Sequence, residues 1–298
     1  MKKHKAAIVG YGNIGKYVLE ALLESSDFEI AGIVRRNATN VPDELKKYNV
    51  VDHISKLQNV DVAILCAPTR NVEAHAIEAL KMGINTVDSF DVHSEIWNLK
   101  QQLFPIAVAN KAVSIIAAGW DPGTDSVVRA LMESMAPKGL TYTNFGPGMS
   151  MGHSVAARKI EGVKNALSIT IPVGKSVHRR MVYMELENGA NPETVEHLLK
   201  TDDYFANDDT QVIFVNDIST YHNLEHGVNI ARNGVSGQTE NQNFEFNMRI
   251  NNPALTAQVL VSVARASFRQ SPGCYTMIEI PTVDLLEGEK EHWIKKLV

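Results

Sequence analysis

The sequence predicts an α/β fold, with a doubly wound parallel sheet at the N-terminus followed by a second, α+β domain. Three observations carry this. From Ala6 to Ala117, short apolar runs alternate with helical patterns, the arrangement of a mainly parallel sheet covered on both faces. A glycine cluster stands between the first apolar run and the first helical pattern. Beyond Ala136 the rhythm changes to consecutive strand-like runs with few helices between them.

In order, Ala6–Val9 reads as a strand, Ile14–Leu23 as a helix, Glu29–Val34 as the second strand and Val60–Cys66 as the third. Asn71–Met82 sets Val72, Ala76 and Leu80 one helical turn apart, which puts them on one face. Asn85–Asp88 and Val113–Ala117 read as further strands, with a helix over Ser94–Phe104 between them. Gly123–Ala136 is an amphipathic helix whose apolar stripe is Val127, Val128, Leu131, Met132 and Met135. Then come strand-like runs at Leu140–Phe145, Leu167–Ile171, Met181–Leu186, Gln211–Val215 and Phe244–Ile250. In the last, Phe244, Phe246, Met248 and Ile250 alternate with polar residues, as in a sheet with one buried face. Asn252–Pro253 opens a nearly all-apolar helix through Ala266, expected to be buried. This gives a first domain over 1–122 and a second over 123–252, with 253–298 expected to pack back on the first. A chain of 298 residues suits two such domains.

Composition excludes several classes. The net charge of −5 argues against a nucleic-acid binder, which needs clustered Lys and Arg for phosphate contacts. The two cysteines, Cys66 and Cys274, rule out a disulfide scaffold and a cysteine-rich zinc site and suit a reducing cytoplasm. No apolar run is long enough to span a bilayer, and the start lacks a signal-peptide pattern. No His/Glu spacing suggests a metal, and no GxSxG elbow is present.

Gly10-Tyr11-Gly12-Asn13-Ile14-Gly15 matches GxGxxG, a weak pattern alone but here placed after a predicted strand and opening a predicted helix. In a Rossmann-type site, Gly10 permits the tight turn, Gly12 lets a pyrophosphate approach the backbone and Gly15 lets helix and strand pack closely. The phosphates then meet N–H groups at the positive end of the helix dipole. A glycine turn that binds nothing is the competing reading. An NAD site carries an acid about 20 residues further on to hold the ribose 2′-hydroxyl. Here Arg35-Arg36 follow the second strand instead; guanidinium groups pair with a 2′-phosphate, so NADP is the expected cofactor. Cys66-Ala67-Pro68-Thr69 follow the third strand at the edge where the cofactor lies, with Thr69 a candidate phosphate or ribose contact and Cys66 read as a small core residue.

Two further stretches fall where the sheet edge would meet the nicotinamide. Val87-Asp88-Ser89-Phe90-Asp91 follows the fourth strand and Ala118-Gly119-Trp120-Asp121-Pro122-Gly123 the fifth. Asp91 and Asp121 are equally readable as turn or cap residues. A glycine-rich stretch from Phe145 through Met151 and Gly152 to His153 reads either as a site loop or as a plain loop. The second domain offers Thr170, His178-Arg179-Arg180, His226 and Asn252, the last also readable as a helix cap.

Together VGYGNIG, VDSFD, AGWDPG, FGPGMSMGH, HRRMV and RINNPALTAQ occur in an order and at separations that resemble the meso-diaminopimelate D-dehydrogenases along nearly the whole chain. The resemblance implies NADP-dependent, reversible oxidation of the D-amino centre of meso-2,6-diaminopimelate to L-2-amino-6-oxopimelate and ammonia, in lysine synthesis, by a homodimer. It implies Asp91 and Asp121 as substrate and catalytic contacts, with Trp120 beside the reacting centre. Phe145, Met151 and Gly152 would line the pocket, and Thr170, Arg180, His226 and Asn252 would reach polar groups of the substrate. A diaminodicarboxylate needs both acids for its ammonium groups and a cation for its carboxylates, and this set supplies both. Many members carry Trp at the position of Phe145 and a longer connection between those of Thr170 and Arg180. The departure resembles a subgroup with broader D-amino acid dehydrogenase activity. Two other readings fit parts of the pattern: another NADP-dependent amino-acid dehydrogenase or dihydrodipicolinate-type reductase, and a non-catalytic NADPH-binding regulator.

Overall fold

The computed structural model describes residues 3–145, 148–174, 177–206, 208–219 and 226–298, with residues 144–145, 148–152, 172–174, 177–178 and 226 described by backbone alone. The chain divides into two units, Met1–Val127 with Pro253–Val298, and Val128–Asn252.

The first unit begins β1 (His4–Val9), α1 (Asn13–Glu24), β2 (Phe28–Val34), β3 (Val50–Val51) and β4 (Val62–Leu65). It continues α2 (Val72–Lys81), β5 (Asn85–Asp88), α3 (Ile96–Ala109), β6 (Val113–Ile116) and the start of α4 (Thr124–Met135). The second unit holds β7 (Lys138–Phe145), β8 (Gly148–Ser150), α5 (Met151–Ala157), β9 (Val163–Gly174) and β10 (Val177–Leu186). It is completed by α6 (Pro192–Thr201), β11 (Asp209–Phe214), β12 (His226–Ser236) and β13 (Glu240–Ile250). The chain then returns to the first unit with α7 (Asn252–Ser267), β14 (Gly273–Thr276) and α8 (Lys290–Leu297).

The first unit is a seven-stranded sheet in the order β14-β6-β5-β4-β1-β2-β3, parallel throughout. Side chains of a strand alternate between faces, and β1 shows the consequence. Ala6 and Ile8 enter a core with Val18 and Leu22 of α1 and Leu260 and Ala264 of α7. Ala7 and Val9 enter another with Ala76 and Leu80 of α2 and Leu99 and Leu103 of α3. The apolar α7 is therefore buried, as its composition predicts.

The largest boundary difference from the sequence reading in this unit is at α3. The helix predicted over Ser94–Phe104 starts at Ile96, after a turn at His93–Glu95, and runs through Pro105 to Ala109. An internal proline costs a backbone hydrogen bond, but the buried stripe Leu99, Leu103 and Ala107 continues past it, and packing carries the helix on. Strand β14, Gly273-Cys274-Tyr275-Thr276, lacks the apolar run that marks the other strands of this sheet and is defined by its pairing with β6.

The second unit holds a sheet β11-β10-β9-β8 and an antiparallel sheet β13-β12-β7. Strand β12 is absent from the sequence reading because Gly227, Asn229, Asn233 and Gly234 interrupt its apolar alternation; pairing on both sides creates it. The fully buried Arg232 on β12 donates from Nε (2.9 Å) and Nη2 (2.6 Å) to the Ala136 carbonyl at the end of α4. Its Nη1 reaches Thr141 on β7 at 2.7 Å, and Glu133. The predicted α4 stripe is only partly buried: Met132 is covered, whereas Leu131 and Met135 are 56% and 50% exposed. Likewise the β13 row Phe244, Phe246, Met248 and Ile250 alternates as predicted but is half-buried rather than buried.

Candidate functional site

In the first unit the candidate residues lie on the segments that follow β1, β2, β4, β5 and β6, all at the carboxyl edge of one parallel sheet. Successive connections run to opposite sides from β1, so the crevice between β1 and β4 is the topological switch point where such sheets bind ligands. The strand ladder extends into these segments: Gly10 N–H donates to Val34 O (2.9 Å), Cys66 N–H to Val9 O (2.7 Å) and Arg35 N–H to Val51 O (2.9 Å).

The glycine turn fits a dinucleotide. Gly10 sits at φ +99°, and a Cβ there would stand 2.8 Å from the Cys66 carbonyl. At Gly15 a Cβ would meet Gly10 O at 2.2 Å, so helix and turn close only without one. Gly12 has nothing within 4 Å of a built Cβ, which leaves open ground in front of α1. Gly12 is also the N-cap, with no side-chain cap and no acid in the first turn, so the N–H groups of Asn13, Ile14 and Gly15 keep their polarity for an anion. Tyr11 and Ile14 pack half-buried against the first core. Arg35 is half-buried, with Nη1 donating to Asn40 O at 3.3 Å, and Arg36 is exposed. Burial pushes the Cys66 thiol well above its ordinary range, which suits packing and not nucleophilic chemistry. Ala67 and Pro68 carry the chain from Cys66 to Thr69.

Thr69 reaches a neighbour the sequence does not indicate: its hydroxyl donates to Asp91 Oδ1 at 2.6 Å, joining the segment after β4 to the one after β5. Asp88, the last residue of β5, does similar work from below. Its Oδ1 accepts from the N–H of Phe90 (2.9 Å) and of Ala117 (3.1 Å), and its carbonyl accepts from Ala118 N–H (2.8 Å). The segments bearing Asp91 and Asp121 thus share one buried carboxylate. Burial raises the Asp88 carboxyl to about 6, a rise the two backbone bonds oppose. The Phe90 ring is buried in the core on the α2–α3 side, and Ser89 is half-buried.

Gly119-Trp120-Asp121-Pro122 form a closed turn with a cis bond between Asp121 and Pro122. Gly119 N–H donates to Pro122 O (2.9 Å), Thr124 N–H returns to Gly119 O (3.0 Å), and Asp125 N–H caps Trp120 O (2.9 Å). Trp120 is nearly buried, while Asp121 keeps 17% of its side chain exposed and lies 3.9 Å from His93 Nε2. His93 is missing from the sequence reading, and Asp88 enters it only as the end of a strand and part of the stretch that follows; the spacing of VDSFDVH does not separate either from turn residues.

The second unit brings together Thr170 of β9 and Arg180 of β10, cross-strand partners in an antiparallel register. Arg180 Nη1 donates to the Thr170 hydroxyl, and Nε donates to Asp208 Oδ2 at 2.7 Å. His153 Nε2 stands 3.4 Å from the same oxygen, with its ring edge-on to Phe205. His153 and Arg180 hold the Asp208 carboxyl down at about 2. Asp208 is missing from the sequence reading, since nothing in Asn207-Asp208-Asp209 marks it. Asn252 is the first residue of α7. Phe145, Met151, Gly152 and His226 belong to β7, α5 and β12, with their side chains outside the described residues. No group of three or more His, Cys, Asp or Glu able to hold a metal occurs among the described residues, and among them no helix is long and apolar enough to cross a membrane.

Comparison with known proteins accounts for both units. The family model for the oxidoreductase family with NAD-binding Rossmann fold matches residues 4–87. The model for the diaminopimelic acid dehydrogenase C-terminal domain matches 119–179 and 173–252. The meso-diaminopimelate D-dehydrogenase of Bacteroides fragilis is 63% identical, with 100% of each chain covered. That of Ureibacillus thermosphaericus is 35% identical over 94% of this chain and 95% of its own. The solved structure of the C. glutamicum DAP dehydrogenase in complex with DAP superposes with a TM-score of 0.90 at 27% identity, covering 100% of both chains. An engineered D-amino acid dehydrogenase bound to NADP+ superposes at 0.88 and 27% identity, again over 100% of both. A two-unit chain with this glycine turn and relatives matched from end to end belongs to the meso-diaminopimelate D-dehydrogenase family.

Proposed function

We propose that this chain oxidises the D-amino centre of meso-2,6-diaminopimelate reversibly with NADP, giving L-2-amino-6-oxopimelate and ammonia. The supporting observation is end-to-end likeness to a meso-diaminopimelate D-dehydrogenase in a chain that puts Asp91 and Asp121 on one sheet edge with the glycine turn.

In this reading residues 1–122 and 253–298 hold the cofactor and 123–252 serve substrate binding and dimerisation. Gly10 to Gly15 cradle the pyrophosphate, and Arg35 and Arg36 take the 2′-phosphate. Cys66 to Thr69, Ser89, Phe90, Gly119, Trp120 and Pro122 border the rest of the cofactor. Bound NADP supplies the acceptor for the hydride leaving the D-carbon. Asp91 and Asp121 hold the ammonium, and Asp121 takes its proton so that the amine lone pair can drive hydride departure. The resulting imine adds water, and ammonia leaves. Trp120 covers the reacting centre against bulk water. Phe145, Met151 and Gly152 line the pocket, while Thr170, Arg180, His226 and Asn252 receive substrate polar groups, with Arg180 on a carboxylate.

The direct test is NADP reduction, followed by nicotinamide absorbance, on adding meso-diaminopimelate, with the LL isomer and NAD as controls. Rapid reduction is expected for the meso isomer with NADP alone; silence would remove the substrate assignment. Asp121→Asn should lower kcat on the order of 10²-fold while cofactor still binds. A variant that keeps full turnover would remove the proposed role.

A wider range, taking in other D-amino acids, draws support from Phe145 and from the short stretch of sequence between Thr170 and Arg180. Reductive amination of a panel of 2-keto acids measures it. We also place the enzyme in the cytoplasm, in keeping with two free thiols, and as a homodimer. Exposed Leu131, Met135 and Leu140 support the dimer, and light scattering in solution tests it.

A further inference from the structure

We propose that Asp208 is a positioning residue of the carboxylate clamp: it holds the Arg180 guanidinium, together with Thr170, in the orientation that receives a substrate carboxylate. The inference rests on the reading that Arg180 meets that carboxylate.

The geometry separates Asp208 from an ordinary surface pair. Successive residues of β10 point to opposite faces, and the two arginines in sequence have different fates. Arg179 pairs with Asp209 at 2.6 Å, with side chains 40% and 55% exposed, the kind of ion pair that contributes little. Arg180 pairs with Asp208 at 2.7 Å with 16% and 27% exposed, and its other donor goes to Thr170, which is 2% exposed. Three elements therefore converge on one guanidinium: β9 through Thr170, the segment before β11 through Asp208, and α5 through His153 on the same carboxylate oxygen.

A guanidinium presents five N–H donors in a planar fork. With Nε given to Asp208 and one Nη1 hydrogen to Thr170, the plane and direction of the fork are set, and the outer Nη edge is directed to donate to a carboxylate end-on. Asp208 is well placed to act as a constant counter-charge, because its partners keep it ionised down to about pH 2. An arginine set in advance loses less side-chain freedom when the substrate arrives.

The test is a double-mutant cycle on the full-length enzyme with NADP and meso-diaminopimelate. Asp208→Ala should raise KM about tenfold, the equivalent of one charge-assisted hydrogen bond, with kcat changing much less. Asp208→Asn keeps an acceptor for Nε and should recover most of the loss. Arg180→Met should raise KM by more, and adding Asp208→Ala to it should change little further, since Asp208 acts through Arg180. Asp209→Ala, at the exposed pair next door, should leave KM unmoved. If Arg180→Met raises KM and Asp208→Ala does not, or if the two effects simply add, the role of Asp208 is overturned and the clamp stands. If Arg180→Met leaves KM unmoved, the clamp itself is wrong and Asp208 falls with it.

Discussion

At the carboxyl edge of β1 the working groups are peptide N–H donors and the space left where Cβ atoms are missing; around β9 and β10 they are side chains from four places in the chain. Gly10, Gly12 and Gly15 shape the first by absence. His153, Thr170, Arg180 and Asp208 shape the second by mutual hydrogen bonds. A site made of backbone must be built from consecutive residues, whereas one made of side chains needs only strand register. The two should fail differently when altered.

The largest effect is expected where backbone meets backbone. Gly15→Ala puts a Cβ 2.2 Å from the Gly10 carbonyl. The turn must open, at a cost of roughly 3 kcal/mol in folding, and NADPH affinity falls with it. Gly12→Ala sharpens the point. It meets nothing within 4 Å, so thermal stability should hardly change while NADPH affinity drops by about tenfold or more, because the new methyl occupies the pyrophosphate's approach. Melting curves and NADPH fluorescence titrations on both variants check this. Equal loss of stability in the two would break the account of the turn.

Asp88 comes next, a side chain that serves backbone. Its folded pKa, near 6 because it is buried, lies above the ordinary 3.8. The folded state thus holds the proton more tightly than the unfolded one. The associated stability is fully present below about pH 4 and is lost as pH rises through 6, roughly 3 kcal/mol over the window. Asp208 has the opposite sign: its stabilisation is present above the ordinary carboxyl range and fades as pH falls toward 2. Denaturant titrations from pH 4 to 8 on wild type and Asp88→Asn isolate the first effect. The wild type's advantage over the variant should shrink as pH rises, and a constant difference would mean that Asp88 does not titrate there.

How much could be read beforehand follows the same division. The glycine turn, the parallel strands and the buried α7 are legible because each is a local pattern: GxGxxG between a strand and a helix, apolar runs of strand length, an unbroken apolar helix. Strand β12 is not, since its glycines and asparagines lack alternation and pairing on both edges supplies what propensity does not. Nor is Asp208. Fifty-five positions separate it from His153, and choosing Arg180 over Arg179 took the family's motif. Asp88 and Asp91 look alike in VDSFD, yet one is sealed under the sheet edge and the other stands on it.

Arg35 and Arg36 tell whether side chains can dominate within a backbone-built site. Replacing both with Ser should lower the preference for NADP over NAD about thirtyfold, by removing the partners proposed for the 2′-phosphate. Affinity for NAD should be little changed, because the glycine turn is untouched. Kd values for both dinucleotides measure this, and an equal loss for the two would show that the arginines support the turn and do not read the phosphate.

The smallest expected effect compares one hydroxyl in each unit. Thr69 donates to Asp91 at 2.6 Å in a half-exposed setting, and Thr170 accepts from Arg180 while almost fully buried. Thr69→Val removes a donor from a carboxylate that water can still reach, so the loss should be about fivefold in kcat/KM, close to 1 kcal/mol. Thr170→Val leaves a guanidinium N–H facing a methyl group in a site that water barely enters. An orphaned donor there costs more than the bond was worth, and KM for meso-diaminopimelate should rise by about tenfold or more. Steady-state kinetics on the two valine variants give the ratio directly. If Thr69→Val proves the more damaging, the edge carrying Asp91 depends on its side-chain network as heavily as the β9–β10 cluster does, and the backbone-built description must be confined to the glycine turn.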